Sequence, residues 1–480
     1  MELILLPLLA GFISFFIPKT WSKWSALLFG GLSLALVINH LISFDPKASM
    51  ELFAPQKVTL GELTLTFKMA LDGMGFVMLA LSNLVFFLVA LGNFNREEGN
   101  SPLFNGLMFL MQWGINGLFC SQDAVLFYMF WEFALIPIFL ILYWFGAKDN
   151  QKNLLKFFVY TLFGSLFMLL SILAWASFSN SLGYDDLATA SVPLKYSCWI
   201  FSGFLLAFAV KIPLFPFHTW QAPTYSTAPM AGTMLLSAIM LKMALFGMIK
   251  WMIPLNYNAL ETYQLPVIIL GLIGILYGAF IAINETNIRK IFAYASLSHL
   301  GLIVAGIMLF TEESLKTSVL QMVNHSLIAV GLFLCADFLE KRFKTSDIQA
   351  MGGLIKQAPK FGFWFAVMVL VSLSVPLTAG FIGEFFLIKS LFFYDAWIGI
   401  AASLTLILGA VYMIRAFQTS AMGPSVLEES TDLTWNEWAV FGIIGVVTLY
   451  LGIQPNAVFN LIEPSIQTLL QVEGTTFNFF

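Results

Sequence analysis

The chain has 480 residues, of which 59% are hydrophobic and only 10% are charged, with a formal net charge of -4. A soluble domain carries about 25% charged residues, so this composition excludes a soluble globular protein. The three cysteines, Cys120, Cys198 and Cys335, form no CxxC pair, which argues against a disulfide framework, an iron–sulfur cluster or a zinc site. The sequence therefore predicts an all-α membrane protein that crosses the bilayer many times.

Charged residues and clusters of Pro, Gly and Asn divide the chain into about fourteen apolar stretches, each long enough to span a bilayer. These predicted helices start near residues 3, 24, 73, 103, 123, 153, 198, 229, 265, 288, 315, 361, 397 and 435. The first stretch lacks a basic start and a small-residue cleavage site, so it is interpreted as a span and not as a signal peptide. No soluble domain is expected between the spans.

The basic residues of the connections predict the orientation of the chain. The odd-numbered connections and the adjoining helix ends carry fourteen of them: Lys19, Lys23, Arg96, Lys148, Lys152, Lys156, Arg289, Lys290, Lys341, Arg342, Lys344, Lys356, Lys360 and Arg415. The even-numbered connections carry six: Lys47, Lys57, Lys68, Lys195, Lys250 and Lys316. Because basic connections stay in the cytoplasm, this bias predicts a multi-pass protein with both termini on the outer face.

Two predicted helices, the seventh and the twelfth, contain proline-rich interruptions. Residues 212–217 are IPLFPF and residues 375–381 are VPLTAGF. One such stretch alone would indicate a proline kink. These two are five spans apart and run in opposite directions, a pattern typical of inverted repeats around an ion path. The predicted units are residues 1–102 (helices 1–3), 103–254 (first repeat, helices 4–8), 255–420 (second repeat, helices 9–13) and 421–480 (helix 14 and tail).

Ionisable residues lie deep inside several of these apolar stretches. A helical rise of 1.5 Å per residue places Lys211 and Lys242 about 20 Å, and Glu132 about 14 Å, from the starts of their stretches. Those depths are near the middle of a hydrocarbon layer of about 30 Å, where a charge is costly and indicates a transport path. The complete set of candidate residues is Glu132, Lys211, Lys242, His299, His325 and Glu384.

The residue types of this set favour protons over metal ions. A desolvated lysine loses basicity and a nearby carboxylate restores it, so a small movement can make the lysine bind or release a proton. Glu132 is the expected partner of Lys211. A sodium site would need clustered carboxylates and carbonyls, whereas most of these groups are nitrogen bases. For each histidine, a purely structural hydrogen bond between helices is the alternative.

Several blocks of the sequence resemble one protein family. The segments VKIPLFPFHTW, AGTMLLSAIMLKM, RKIFAYASLSHLGL, QMVNHSL, MGGL and VPLTAGFIGEF are similar to the antiporter-like subunits of respiratory complex I, the proton-pumping NADH:quinone oxidoreductase, and to Mrp-type cation/proton antiporters. In that family, subunits L and N and the Mrp relatives carry lysine in the second broken helix, and subunit M carries glutamate. Glu384 therefore favours a subunit M type, as does a chain that stops soon after its fourteenth span.

The resemblance implies a role for each candidate residue. Glu132 and Lys211 would form a regulating ion pair, Lys242 would be the central proton site, His299 and His325 would connect it, and Glu384 would be the exit-side group. The chain itself would bind no cofactor and no metal and perform no redox chemistry. NADH, FMN, iron–sulfur clusters and quinone would belong to partner subunits. The partners would be the other membrane-arm subunits, including neighbouring antiporter-like ones, in a bacterial-type inner membrane.

The segment after HTW departs from the family pattern. Residues 221–229 are QAPTYSTAP in place of a sequence close to LPDAHTEAP, so an Asp, a His and a Glu near the cytoplasmic entrance are absent. His218 is then expected to be a structural cap. Two alternative functions stay open: a subunit of a multisubunit cation/proton antiporter or membrane-bound hydrogenase, and a scaffold without transport. Four mid-membrane charges argue against the scaffold, because each costs insertion energy.

Overall fold

The computed structural model describes residues 1–60, 63–179, 181–424 and 431–471. Two parts of the sequence predictions, the side chain of Lys57 and the tail at 472–480, lie outside the described residues. Helices dominate the described ranges, as the sequence predicts. Their bounds are α1 Glu2–Phe16, α2 Lys19–Ser43, α3 Gly73–Gly92, α4 Pro102–Cys120, α5 Ala124–Phe145, α6 Gln151–Trp175, α7 Leu194–Lys211, α8 Met230–Met252, α9 Tyr257–Asn284, α10 Ile288–Leu309, α11 Glu312–Phe343, α12 Pro359–Ser372, α13 Ala379–Tyr394, α14 Ala396–Ala421, α15 Trp435–Ile453 and α16 Asn456–Gln471.

The predicted spans are confirmed. Among the described residues, twelve helices are long and apolar enough to cross a membrane, and α1 and α12 are shorter apolar helices. Most observed helices begin within a few residues of the predicted starts. The largest difference is at α9, which begins at Tyr257 and not near 265, because the helix continues through Pro266. A membrane helix tolerates a proline in its interior when neighbouring helices or side chains bind the backbone carbonyl that the proline leaves without a donor.

Helices 7 and 12 of the prediction are both discontinuous. The helix α7 ends at Lys211 and is followed by a 3-10 turn at Phe217–Trp220 and a short helix at Gln221–Thr227. The break between α12 and α13 contains Ser374 and Leu377, which both adopt positive φ angles. Left-handed residues cannot continue a right-handed helix, and proline removes a backbone donor, so the ladder of helix hydrogen bonds stops at each break.

An antiparallel hairpin separates α2 from α3 and was not anticipated from the sequence. Its strands are β1, Met50–Leu60, and β2, Leu63–Leu71. Thr and Val alternate with other residues in this segment, a pattern that favours strands. The segment lies between two strongly apolar stretches, so its hydropathy alone predicts only a connection.

The connections divide into two faces of the helical bundle. On the hairpin face, Met69 of the hairpin pairs with Ser121, and Asp123 pairs with Gly183. On the opposite face, Asn287 pairs with Asp347, and the carbonyl of Thr227 accepts from the backbone of Ala147. The helix α16 returns to the hairpin face and packs against the start of α3, burying one side through Val458, Ile462, Ser465, Ile466 and Leu469. These contacts fix which helix ends share a face.

Candidate functional site

The centre of the bundle is α8, whose residues are all buried. Two π-helical turns, Leu236–Met240 and Met248–Met252, flank an α-helical segment that carries Lys242. The ammonium of Lys242 donates to the carbonyl of Ser237, five residues earlier, at 3.0 Å. Such π turns are rare and occur often at functional sites. Here the first of them supplies a backbone acceptor for a lysine that has no access to solvent.

A row of four ionisable side chains starts at Lys242. Its Nζ lies 2.7 Å from Nδ1 of His325 on α11. The ring of His325 lies 6.2 Å, between centroids, from the ring of His299 on α10. Nδ1 of His299 lies 2.7 Å from Oε1 of Glu384 on α13. Four helices therefore bring these predicted residues together, although the first and the last, Lys242 and Glu384, are 142 positions apart in the sequence.

Amide side chains complete the far end of this row. Gln321 donates from Nε2 to Oε1 of Glu384 at 2.9 Å, and its own Oε1 accepts from Asn324 at 3.4 Å. A small cavity of about 20 Å³ lies between the two histidines, with Ser296, Gln321 and Asn324 among its lining residues. One water molecule fits a cavity of this size when several polar partners surround it. A space bordered by both histidines and by these polar side chains is thus large enough for one bridging water.

Lys211 and Glu132 form a separate cluster. Nζ of Lys211 lies 5.0 Å from the centre of the Trp131 ring, a cation–π contact. In the part of the chain that the structure describes, neither Nζ of Lys211 nor Oε1 of Glu132 has a hydrogen-bond partner, and no ion pair within 4.0 Å joins them. The expected direct ion pair is therefore absent from this conformation, in which the ammonium of Lys211 lies over the ring of Trp131.

The six predicted residues thus fall into two groups. One row contains, in spatial order, Lys242, His325, His299 and Glu384. Glu132 and Lys211 lie apart from this row. Within the described ranges, no hydrogen bond or ion pair connects Lys211 with Lys242. The ring of Phe208 packs against Gly247 of α8 and against Trp131, so aromatic side chains lie between the groups.

His218 does not have the expected capping role. The 3-10 turn that contains it has no side-chain capping bond, and its Nδ1 is buried without a hydrogen-bond partner among the residues described. Its ring lies 5.6 Å from that of Phe215 and 4.8 Å from that of Tyr277, between centroids. Ring packing, and not capping, holds this side chain.

Sequence reasoning missed several polar residues of the site. Gln321 and Asn324 share a face with His325, and the motif QMVNHS in a long apolar helix could have revealed them. The carbonyl of Ser237 could not be found in this way, because a π turn has no comparable sequence signal. The stacking of Lys211 on Trp131 was equally hidden, since both positions follow from tertiary packing.

Two of the basic residues that the sequence analysis assigned to connections are buried in ion pairs. Arg96 binds Asp337 and Glu437 on the opposite face, and burial lowers the pKa of its guanidinium to about 10. Lys250 binds Asp72 and is 5% exposed. These cations are enclosed by carboxylates because an unpaired buried charge is costly. They do not act as free loop charges.

Residues 121–409 match the family described as NADH:quinone oxidoreductase/Mrp antiporter, TM, which covers more than half of the chain. The chain belongs to this family. All six candidate site residues lie inside the matched region. The resemblance inferred from the sequence blocks is confirmed.

The relatives of the family extend the match to nearly the whole chain. NADH-quinone oxidoreductase subunit M of Rickettsia typhi (strain ATCC VR-144 / Wilmington) is 30% identical over 450 residues, covering 93% of this chain and 91% of the relative. A chain in respiratory complex I from Thermus thermophilus with bound NADH has a TM-score of 0.90 at 27% identity, covering 99% of each chain. A chain of the Mrp complex from Dietzia sp. DQ12-45-1b has a TM-score of 0.85 at 17% identity, covering 98% of this chain and 99% of that one, which shows a shared fold.

Proposed function

We propose that this chain is the proton-translocating subunit M of a complex I, a membrane-arm subunit of an NADH:quinone oxidoreductase. The observation that carries the proposal is the row Lys242–His325–His299–Glu384, buried except for the partly exposed His299, in which two direct contacts measure 2.7 Å. Its support in the comparisons is the identity of 30% with a subunit M across 93% of the chain. Such a row has a use in moving protons and is costly otherwise.

The row can pass a proton from one member to the next. Nζ of Lys242 donates to Nδ1 of a neutral His325, so transfer along this bond leaves a neutral lysine and an imidazolium. His325 can then release a proton from Nε2 into the polar cavity, from which His299 accepts one. His299 passes the charge to Oε1 of Glu384. Two adjacent cations repel strongly at low dielectric, so loading Lys242 again favours departure of the proton from His325.

The second cluster controls the row in this proposal. When Lys211 leaves the face of Trp131 and pairs with Glu132, the electric field at the row that starts at Lys242 changes. No proton needs to cross between the cluster and the row. Both partners of Lys211 in this switch lie on the same helix, because Glu132 directly follows Trp131 in α5. An ion pair that opens and closes in a low dielectric is a strong electrostatic switch.

Replacing Glu132 by Gln is expected to lower both proton pumping and coupled NADH:quinone activity several-fold while assembly stays intact, because the amide cannot hold Lys211 charged. The measurement is NADH-driven acidification of membrane vesicles, normalised to the amount of assembled complex. Glu261→Gln is the matched control, since Glu261 is exposed at the start of α9. Normal pumping by a fully assembled Glu132→Gln complex would remove this residue from the mechanism.

The orientation follows from the corrected charge count. Without the buried Arg96 and Lys250, the connections predicted on the cytoplasmic side keep thirteen basic residues (14 − 1) and the others keep five (6 − 1). The positive-inside rule then assigns the hairpin face, with both termini, to the outer side of a bacterial-type inner membrane. Lys242 would receive protons from the opposite, cytoplasmic face.

The proposal includes two inverted repeats, residues 103–254 and 255–420, with the breaks after Lys211 and Ser372 at related positions. It places NADH, FMN, iron–sulfur clusters and quinone in partner subunits, and it makes neighbouring antiporter-like subunits the lateral contacts of this chain.

A cation/proton antiporter is the second candidate, supported by the Mrp fold match at 17% identity. Glu384 in the second broken helix and the higher identity with subunit M favour complex I.

A further inference from the structure

A second buried charge lies on the helix that carries Lys242. Lys250 is eight residues further along α8, inside the π turn Met248–Met252, and only 5% exposed. Its ammonium binds the carboxylate of Asp72 and lies 5.0 Å from the centre of the Tyr184 ring. Lys242 and Lys250 are the two charged residues of α8, and the residues between them are apolar. The pair with Asp72 is therefore a polar anchor at one end of α8, whose middle is held to α11 by the contact of Lys242 with His325 and by the hydrogen bond from Ser326 to the carbonyl of Ala238.

Asp72 is fixed to three elements of the hairpin face. It directly follows the last residue of β2, and its Oδ1 accepts from the backbone of Gly75 at 2.7 Å, which caps α3. The next residue, Gly73, packs against the carbonyl of Leu461 in α16 so closely that a Cβ would not fit. The ion pair thus ties α8 to the hairpin, to α3 and, through Gly73, to α16.

The contact of Lys242 with His325 depends on the position of α8 along its axis. Nζ lies 2.7 Å from Nδ1 of His325 on α11, which leaves no room for a shift, whereas its bond to the carbonyl of Ser237 at 3.0 Å lies within α8. One residue of helix corresponds to 1.5 Å of rise, which would break a hydrogen bond at 2.7 Å. The π turns on both sides of Lys242 already depart from the regular α-helical register, as π turns at functional sites often do.

The same anchor is joined to Lys211 by a row of packed aromatic rings. Tyr184, beneath the ammonium of Lys250, lies 5.3 Å from Trp251 between ring centroids, and Trp251 lies 5.3 Å from Phe127. Phe127 in turn lies 6.1 Å from Trp131, on whose face Lys211 rests. A displacement of Lys250 therefore reaches both groups of candidate residues through direct contacts.

We propose that the Lys250–Asp72 ion pair is a positioning contact for proton transfer, which keeps α8 in the register that places Lys242 against His325. This inference rests on the proposed function, because it assumes that Lys242 relays protons. The role requires a permanent cation at position 250 and not a group that releases its proton. Arginine should therefore replace Lys250, since its guanidinium stays charged and also pairs with a carboxylate.

The test uses the assembled complex in membrane vesicles, with pumping normalised to complex content and followed across pH. Lys250→Met should pump at less than half the wild-type rate with a displaced pH profile, whereas Lys250→Arg should retain most of the rate and the wild-type profile. Lys250→Met/Asp72→Asn, which leaves no uncompensated buried charge, should assemble and pump as poorly as Lys250→Met. Lys316→Met is the matched control on the same face, because Lys316 pairs with Glu312 and Glu463 away from α8.

Wild-type pumping by Lys250→Met, or a Lys250→Arg variant as poor as Lys250→Met, would overturn the inference. A double variant restored to wild type would overturn it too, because only the unpaired buried charge would then matter. A loss confined to the amount of complex, with unchanged pumping per complex, would also overturn it. Lys242→Ala in the same series separates the two claims. If Lys242→Ala pumps normally, the proposed function fails, and if it does not pump while Lys250→Met does, only the positioning role fails.

Discussion

Replacing Lys242 by alanine is expected to reduce NADH-driven proton pumping at least about tenfold, a smaller factor than the ~100-fold or more that a positioned proton-transfer group contributes in catalysis. The substitution removes the ammonium that lies 2.7 Å from His325 and leaves the carbonyl of Ser237 without its donor. His218→Ala should have a smaller effect, because His218 only packs between rings beside the break in helix seven. The measurement is the initial rate of acidification in vesicles with equal amounts of complex.

The comparison of these two variants ranks the residues of the path. Equal losses, or a larger loss in His218→Ala, would mean that the row through α8 is not the main route. His218 would then belong to the route, although its ring has only aromatic neighbours at the distances given above. A normal rate in Lys242→Ala would exclude the lysine itself.

Replacing Glu384 by alanine is expected to impair pumping severely, since the change removes the carboxylate that lies 2.7 Å from His299 and accepts from Gln321 at the end of the row. Glu384→Lys should retain part of the activity if the position only needs a protonatable group, because related subunits carry lysine there. A lysine and a carboxylate are charged in opposite protonation states, so their coupling to a protonated neighbour has opposite sign. Pumping of both variants in reconstituted vesicles separates the two requirements.

The expected order of pumping is wild type, then Glu384→Lys, then Glu384→Ala. A lysine variant as poor as the alanine variant would show that the sign of the charge transmits the signal, and not protonation alone. Full activity in Glu384→Ala would remove this residue from the proton path. Gln321 offers a related control, because Gln321→Glu keeps the shape of the side chain and adds a second carboxylate beside Glu384.

The sequence predicted most of the helical architecture because hydrophobicity alone defines membrane spans. The starts of α3, α10 and α15 agree with the predicted positions, and the prolines in both broken helices identified the interruptions. The hairpin was missed because its strands lie between apolar helices and carry no turn signal as strong as Asn-Gly. Lys250 was assigned to a connection, because the sequence does not show that Asp72 meets it across 178 positions.

The candidate residues were found for a related reason. A charge or a histidine in the middle of an apolar stretch is conspicuous in any membrane sequence, so Lys242, His299, His325 and Glu384 could all be selected. Their order along the row, and the separation of Glu132 and Lys211 from it, depend on which helices are neighbours. The π turn that directs the carbonyl of Ser237 toward Lys242 is a feature of the backbone, so residue types alone do not predict it.

In the proposed path, protons pass from Lys242 through His325 and His299 to Glu384, and His325 is the critical link because it contacts Lys242 directly. The most direct test is the number of protons pumped per NADH oxidised in vesicles that contain His325→Leu, with His40→Leu, which lies at the end of α2, as the matched control. The number of protons pumped per NADH oxidised is expected to be clearly lower in His325→Leu and unchanged in His40→Leu. A wild-type ratio in an assembled His325→Leu complex would contradict the proposed path.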